Sequence, residues 1–295
     1  MIYQHRSITC RRGKLQKRTE LFKATALKNF EDAGSPLIGS FETITGDDAY
    51  GICWQYRQFD SIDQWIKQEQ HVSGKPIGIA TQKPVTELTK QIDEVDTYLI
   101  SLNQRCQPID KTWPALDKLN VASNVIFIQN IYWFQPSELE TAFDAYFELI
   151  LPTYRIAGVE LIGLFGTILG SGSMNGRALR QVELIRFDDL NVWNTYRNIL
   201  KNDARFQRES RERWLSKIDK VSSVIMEPTD FSRLRGKRFG ESEVSTPLYP
   251  PQKSAVDFYR GSNGHEDIWA AKFTFCYVLI VFATKNFFES ILVIS

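Results

Sequence analysis

Apolar and polar positions follow two different periods along the chain, and the changes between them predict its elements. Where β-branched and aromatic residues dominate short runs, strands are expected; where apolar side chains recur every three or four residues, helices are expected. The first strand-helix change comes after residue 9, and Gly34-Ser35-Pro36 ends the helix that follows. The first third of the chain is predicted to contain strands at 2–9, 37–45, 50–57 and 76–80, and helices at 15–33 and after Asp60.

The same order of elements returns further along the chain, together with a sequence repeat. The pattern L-I-G-x-F-x-T-I-x-G occupies residues 37–46 and again residues 161–170, at an offset of 124 residues. Seven identical positions in ten indicate two copies of one module rather than a chance match. The second copy is predicted to have strands at 125–134, 159–169, 177–187 and 221–226, and helices at 136–154 and 190–214.

The order β-α-β-β-α-β is that of a ferredoxin-like module, with two helices on one face of an antiparallel sheet. Strand residues on both faces are apolar, so each sheet should be covered on both sides. The predicted fold class is therefore α+β, with two tandem ferredoxin-like βαββαβ modules that pair into one α/β-barrel-like unit. The pair would act as a pseudo-dimer within one chain, with further self-association left open.

Four segments follow from this organisation. The first module covers residues 1–80 and the second covers 124–235, while 236–295 form an extension of uncertain structure. The linker 81–123 has apolar residues at alternating spacings of three and four, which predict an amphipathic helix over about 83–105. This helix would either dock on its own chain or mediate self-association. Its apolar positions are Val85, Leu88, Ile92, Val95, Leu99 and Leu102.

Composition and charge exclude several classes of protein. The chain has 295 residues with 43% hydrophobic and 24% charged residues, as expected for a globular protein and not for a disordered one. A net charge of +1 argues against nucleic acid as a partner. The apolar run 273–283 is too short to span a bilayer, so a membrane partner is not expected; for the run itself a strand, a membrane-surface anchor and sequence foreign to the fold stay open. The first residues contain no apolar targeting segment, and the four cysteines are widely spaced; both favour free thiols and a cytoplasmic location.

Short motifs in both modules resemble the NIPSNAP family. Residues 3–15 resemble its opening, Y-x-x-R-x-Y-x-x-x-P-G-K-L, and L-I-G-x-F-x-T resembles its L-V-G-x-W-x-T. The chain departs from the family at Arg12, where proline is usual, and at Asn130, which falls at the position of Arg6. The resemblance covers residues 2–80 and 124–230. It implies the dimeric α/β-barrel superfamily, which includes cofactor-independent monooxygenases, and so implies a monooxygenase or oxidoreductase.

Candidate chemistry concentrates on strands of the first module. His5 is the one histidine within a predicted core strand, and it alternates with Tyr3 along that strand. The strand at 50–57 adds a tryptophan, a tyrosine and an arginine that suit a planar hydrophobic ligand. The candidate pocket is therefore Tyr3, His5, Trp54, Tyr56 and Arg57.

No phosphate-binding, metal-binding or nucleophile motif is present, so neither a cofactor nor a metal is expected and no catalytic residue is assigned. Two functions remain open. One is a small-molecule binder or cofactor-independent monooxygenase that acts on a small hydrophobic or aromatic compound. The alternative is a non-enzymatic interaction or scaffold protein that uses the duplicated barrel and the 83–105 helix.

Overall fold

The computed structural model describes residues 1–46, 51–73, 87–106, 125–170 and 179–235. The expected extension at 236–295 and the expected strand at 76–80 lie outside these residues. Eight strands are found in the described part of the chain: β1 Ile2–Cys10, β2 Leu37–Gly46, β3 Ile52–Phe59, β4 Ile92–Leu102, β5 Ile126–Phe134, β6 Glu160–Gly170, β7 Leu179–Phe187 and β8 Ile218–Pro228.

Seven α-helices lie between these strands in the same part of the chain. Three belong to the first half and four to the second: α1 Leu15–Thr25, α2 Leu27–Asp32, α3 Ile62–Ser73, α4 Leu139–Ala145, α5 Leu151–Ala157, α6 Leu190–Asn202 and α7 Ala204–Arg213. A π-helical turn, Tyr146–Ile150, joins α4 to α5 just before Pro152. Proline has no amide hydrogen to donate to the preceding turn, and a wider turn is one way to accommodate it.

The eight strands close into one antiparallel barrel in the order β1-β3-β2-β8-β5-β7-β6-β4. Within each half, the fourth strand lies beside the first, and the third lies between the first and the second. This is the strand order of a ferredoxin-like sheet. The two sheets join where β2 pairs with β8 and β4 pairs with β6. The α+β fold class and the pairing of two sheets into a barrel are thus confirmed.

Alternation along the strands separates an inner face from a face covered by helices. His5 pairs with Tyr56, and Tyr3 lies two residues before His5 on the same face of β1. The inner face holds a cluster of buried aromatic rings, among them Phe41 and Phe127, whose centroids are 4.7 Å apart. The barrel interior is therefore filled by side chains over much of its length, as expected for eight strands.

The prediction of an amphipathic helix over 83–105 is wrong, because residues 92–102 form strand β4. This strand pairs with β1 on one side and with β6 on the other, which closes the barrel. The side chains of Tyr98 and Ile100 pack inside the barrel, and that of Leu99 packs on the opposite face. Such consecutive apolar residues are typical of strands that are buried on both sides. The backbone hydrogen bonds that β4 forms with β1 and β6 when the barrel closes therefore stabilise a strand here, although the spacing of the apolar residues is helical.

The single helix expected at 190–214 is instead two helices. The break falls at Asp203, which has extended backbone and accepts a hydrogen bond from the amide of Phe206 at 2.8 Å. Asp203 therefore caps the second helix in the manner typical of aspartate. Asp189 caps the first helix through the amides of Asn191 and Val192.

Candidate functional site

Four of the five candidate residues lie together inside the barrel. Tyr3, His5, Trp54 and Tyr56 are at most 7% exposed. The imidazole of His5 stacks on the Trp54 ring at 5.3 Å with an interplanar angle of 16°, and its centroid is 4.9 Å from that of Tyr56. Tyr3 packs against Phe165, with the ring centroids 5.2 Å apart. We call the group formed by His5, Trp54, Tyr56, Gln129 and Arg180 the barrel site.

The hydrogen bonds of His5 fix its protonation. Its Nδ1 lies 3.3 Å from an Nη of Arg180, and its Nε2 lies 2.9 Å from Oε1 of Gln129. A guanidinium can only donate, so Nδ1 must accept from Arg180 and Nε2 must carry the hydrogen that it donates to Gln129. The same Gln129 oxygen also accepts from the Tyr56 hydroxyl. His5 is therefore a neutral imidazole in one defined tautomer.

Burial and charge both favour this neutral state. Burial lowers the pKa of His5 well below its usual value, the positive charge of Arg180 lowers it further, and the hydrogen bond to Gln129 opposes the two. Burial also raises the pKa of the Tyr3 phenol to about 12 and that of Tyr56 further still. At neutral pH, Arg180 is the one charged member of the barrel site.

Arg180 comes from the second half of the chain and was not expected at this site. It lies near the start of β7 and crosses the interior toward His5. Its guanidinium carbon lies 3.9 Å above the Tyr98 ring, and Nη1 is 3.5 Å from the Thr167 hydroxyl. Among the described residues, no carboxylate lies within ion-pair distance of this guanidinium; Asp96 acts on it from further away. No distinctive signal in the sequence marked it, because β7 also carries Gln181, Glu183 and Arg186.

The fifth candidate, Arg57, lies on the opposite face of β3, beneath the helices. It donates to Gln4 at 2.9 Å and forms an ion pair with Glu69 at 3.0 Å. Its guanidinium also lies 4.0 Å from the centroid of Phe30. The structure therefore does not bring Arg57 together with the other four, because adjacent strand residues such as Tyr56 and Arg57 point to opposite faces.

A second buried polar group lies beneath the helices of the second half. Glu183 is fully buried, and its carboxylate accepts hydrogen bonds from Tyr132 at 2.8 Å, Tyr154 at 2.9 Å, Tyr146 at 2.5 Å and Asn130 at 2.6 Å. Four donors satisfy both oxygens of this anion, which is the condition for burying it. Burial and the neighbouring carboxylate raise the pKa of Tyr146 and Tyr154. Sequence reasoning did not find this group.

Other features of the described part of the chain are simpler. An open depression of about 220 Å³ lies at the end of the barrel remote from Arg180; it is lined by Met1, Tyr3, Leu102, Asn103, Gln104 and Cys106. The described residues contain no cluster of three or more histidine, cysteine or acidic side chains placed to hold a metal ion. None of their helices combines the length and apolarity needed to cross a membrane.

Comparison with known proteins shows similarity in structure but not in sequence. No family model matches the chain, and no curated protein matches it. A solved structure of an anthrone oxidase-like protein matches with a TM-score of 0.49 and 11% identity, over 77% of this chain and 91% of that one. A mutant chlorite dismutase from Candidatus Nitrospira defluvii matches with a TM-score of 0.43 and 10% identity, over 79% and 94%.

NIPSNAP proteins are also among the structural matches. One from Agrobacterium tumefaciens strain C58 has a TM-score of 0.32 and 26% identity, over 38% of this chain and 91% of that one. Such proteins cover 37–43% of this chain, the length of a single half. The strand order defines the class: an eight-stranded antiparallel barrel of two ferredoxin-like sheets, the architecture of the dimeric α/β-barrel proteins, here formed by one chain.

Proposed function

We propose that the protein binds a small planar anionic compound at the barrel site and acts on it as a cofactor-independent monooxygenase. The observation that carries this proposal is the Arg180 guanidinium, which lies against neutral His5 and the Tyr98 ring with no carboxylate partner among the described residues. Arg180 is only partly buried, and Asp96 acts on it from beyond ion-pair distance, so the guanidinium lacks a close counter-ion among the described residues. An anionic ligand would supply that charge, and the surrounding rings suit a flat aromatic body.

His5 is the group placed to act on such a ligand. A ligand anion on Arg180 would offset the positive charge that lowers the pKa of His5 and would release Nδ1 from its present hydrogen bond. His5 would then become a better proton acceptor only when the site is occupied. In the proposed reaction, Nδ1 removes a proton from an acidic ring CH₂ group, and Arg180 stabilises the resulting enolate. Dioxygen then converts CH₂ to a carbonyl, with its second oxygen atom released as water.

The alternative function, an interaction protein, relied on a helical contact surface that the described part of the fold does not provide. Its contact element was to be a helix over 83–105, and residues 92–102 form a barrel strand instead. Two of its apolar positions, Leu88 and Ile92, pack partly buried against the first half.

Binding can be tested with a matched pair of probes. Calorimetric titration with 2-naphthoate and with its neutral analogue 2-naphthamide should show at least tenfold tighter binding of the acid, since one charge-assisted contact corresponds to about 1.5–3 kcal/mol. Arg180→Gln should abolish this preference. Arg105→Gln is the matched control, because Arg105 also lies over a ring, Phe147, but is exposed on the barrel exterior. Equal binding of the two probes by the unchanged protein would refute the site.

Turnover needs a separate assay. Anthrone-2-carboxylate combines an anionic group with an acidic CH₂ group between two rings, and its oxidation can be followed with an oxygen electrode. Oxygen uptake above the autoxidation rate, lost in His5→Gln and retained in Arg105→Gln, is the expected result. Uptake no faster than autoxidation, together with naphthoate binding, would leave a binding protein and reject the monooxygenase.

A further inference from the structure

A second charged region lies between the first sheet and helices α1–α3, on the face opposite the barrel site. Strand register places Arg6 directly opposite Gln55, and Gln4 opposite Arg57. Helix α1 adds Arg18, which is 1% exposed and lies over the Phe22 ring at 4.7 Å. We call Arg6, Arg18, Arg57 and Gln55 the arginine layer.

Positive charge exceeds negative charge in this layer. Arg57 is paired with Glu69, whereas neither Arg6 nor Arg18 has a described carboxylate within ion-pair distance. Arg18 donates instead to the Cys53 sulfur at 3.1 Å, and burial raises the pKa of that thiol, so the sulfur stays neutral. The other acid whose charge reaches this thiol is Glu42, which accepts a hydrogen bond from Thr19 at 2.5 Å. Three guanidinium groups thus face two carboxylates.

The layer also holds a concentration of buried polar atoms that lack hydrogen-bond partners. These atoms are the Nε of Arg6, of Arg18 and of Arg57, and both amide atoms of Gln55, whose side chain is fully buried. A buried polar atom that stays unsatisfied destabilises the fold. Arg6 is only partly buried, so the layer can be reached from solvent at that residue.

The second half shows how the same position can be satisfied. Glu183 on β7 lies opposite Asn130 on β5, as Gln55 on β3 lies opposite Arg6 on β1. The second half therefore contains a built-in anion with four donors around it. In the first half a neutral amide takes the place of this carboxylate, and the donors are guanidinium groups.

We propose that the arginine layer binds a small oxyanion that also carries a hydroxyl group, of the class that includes hydrogen phosphate and 2-hydroxy acids. The anionic oxygens would accept from the free Nε–H groups and from the Gln55 amide nitrogen. The hydroxyl group would donate to the Gln55 amide oxygen, which no other described group reaches. This site is independent of the barrel site, which lies on the other face of the sheet.

The test is calorimetric titration of the full chain with four probes in a chloride-matched buffer at pH 7. Inorganic phosphate and glycolate offer both an anion and a hydroxyl group; sulfate and acetate offer the anion alone. We expect phosphate to bind at least tenfold more tightly than sulfate, or glycolate at least tenfold more tightly than acetate. Whichever of phosphate and glycolate binds more tightly identifies the ligand class as a phosphate or a 2-hydroxy acid. Equal binding within both pairs would overturn the role of Gln55, and no binding of any probe would overturn the site.

Variants of the arginine layer can distinguish oxyanion binding from a purely structural role of these residues. Arg6→Gln should weaken phosphate binding ten- to a hundredfold. Gln55→Glu places a carboxylate where the ligand anion would lie, so it should raise the Tm in phosphate-free buffer and abolish phosphate binding. Arg11→Gln is the control, since Arg11 is exposed and pairs with Asp93. If Gln55→Glu lowered the Tm, or bound phosphate as the unchanged protein does, the proposal would be wrong.

Discussion

The neutral state of His5 predicts a loss of stability in acid. The unfolded chain binds a proton at His5 near pH 6.5, whereas the folded chain resists it until the pH is much lower. A group with a lowered folded pKa contributes its full share of stability above its unfolded pKa, and that share is lost as the pH falls. At pH 4.5, two units below the unfolded value, one such group lowers the free energy of unfolding by up to about 2.7 kcal/mol, the limit reached when the folded imidazole stays neutral.

The contribution of His5 to this loss of stability can be measured by comparing the unchanged protein with a His5 variant at two pH values. Urea unfolding at pH 7.0 and pH 4.5 gives the change for the unchanged protein and for His5→Gln, which cannot titrate at this position. The change should be larger for the unchanged protein, by up to about 2.6 kcal/mol. Equal changes in both proteins, or an NMR titration of His5 in the folded state near pH 6.5, would refute the reasoning.

Two further predictions concern stability. Phe127→Ala should lower the free energy of unfolding by about 3–5 kcal/mol in urea, because Phe127 is fully buried inside the barrel; the exposed Leu179→Ala is the control. A loss below about 1 kcal/mol would mean that the interior collapses around the gap. Between pH 10 and 11, Tyr146 and Tyr154 should each cost about 1 kcal/mol of stability, since their raised pKa keeps them protonated only in the folded state. Tyr146→Phe should reduce this loss in urea unfolding. Ionisation of these phenols near pH 10 with the fold intact, seen by ultraviolet absorbance, would contradict it.

Much of the fold could be predicted because local patterns and global topology agree. The strand alternation at 2–9 and 50–57 is also the alternation between the barrel interior and the helix-covered face. The failure at 92–102 has a different cause. There, apolar residues fit both a helix and a doubly buried strand, and only the open edges of β1 and β6 decide between them. That information is not local.

The candidate site was predicted only in part, for a related reason. Periodicity placed His5 on a core strand and its neighbours Trp54 and Tyr56 on the next. It could not bring in Arg180 or Gln129, which reach the site across the barrel from strands more than a hundred residues away. Successive residues of a strand point to opposite faces, so whether an arginine faces the interior depends on its exact position in the strand. A shift of one residue in the strand register would put Arg57 inside the barrel in place of Tyr56. The candidate pocket predicted from the sequence included both residues, although only one of them can face the interior.

Closure through the ladder of β2 and β8 also constrains when the barrel can form during synthesis. This ladder joins residues 178 to 187 positions apart; Phe41, for example, pairs with Pro228. The first sheet can therefore assemble early, but its β2 edge stays open until β8 has left the ribosome. Open strand edges invite pairing with other chains, and long-range closure is slow. A nascent or truncated chain that ends before residue 218 would lack β8 and should be prone to aggregation, while the complete barrel leaves neither edge exposed.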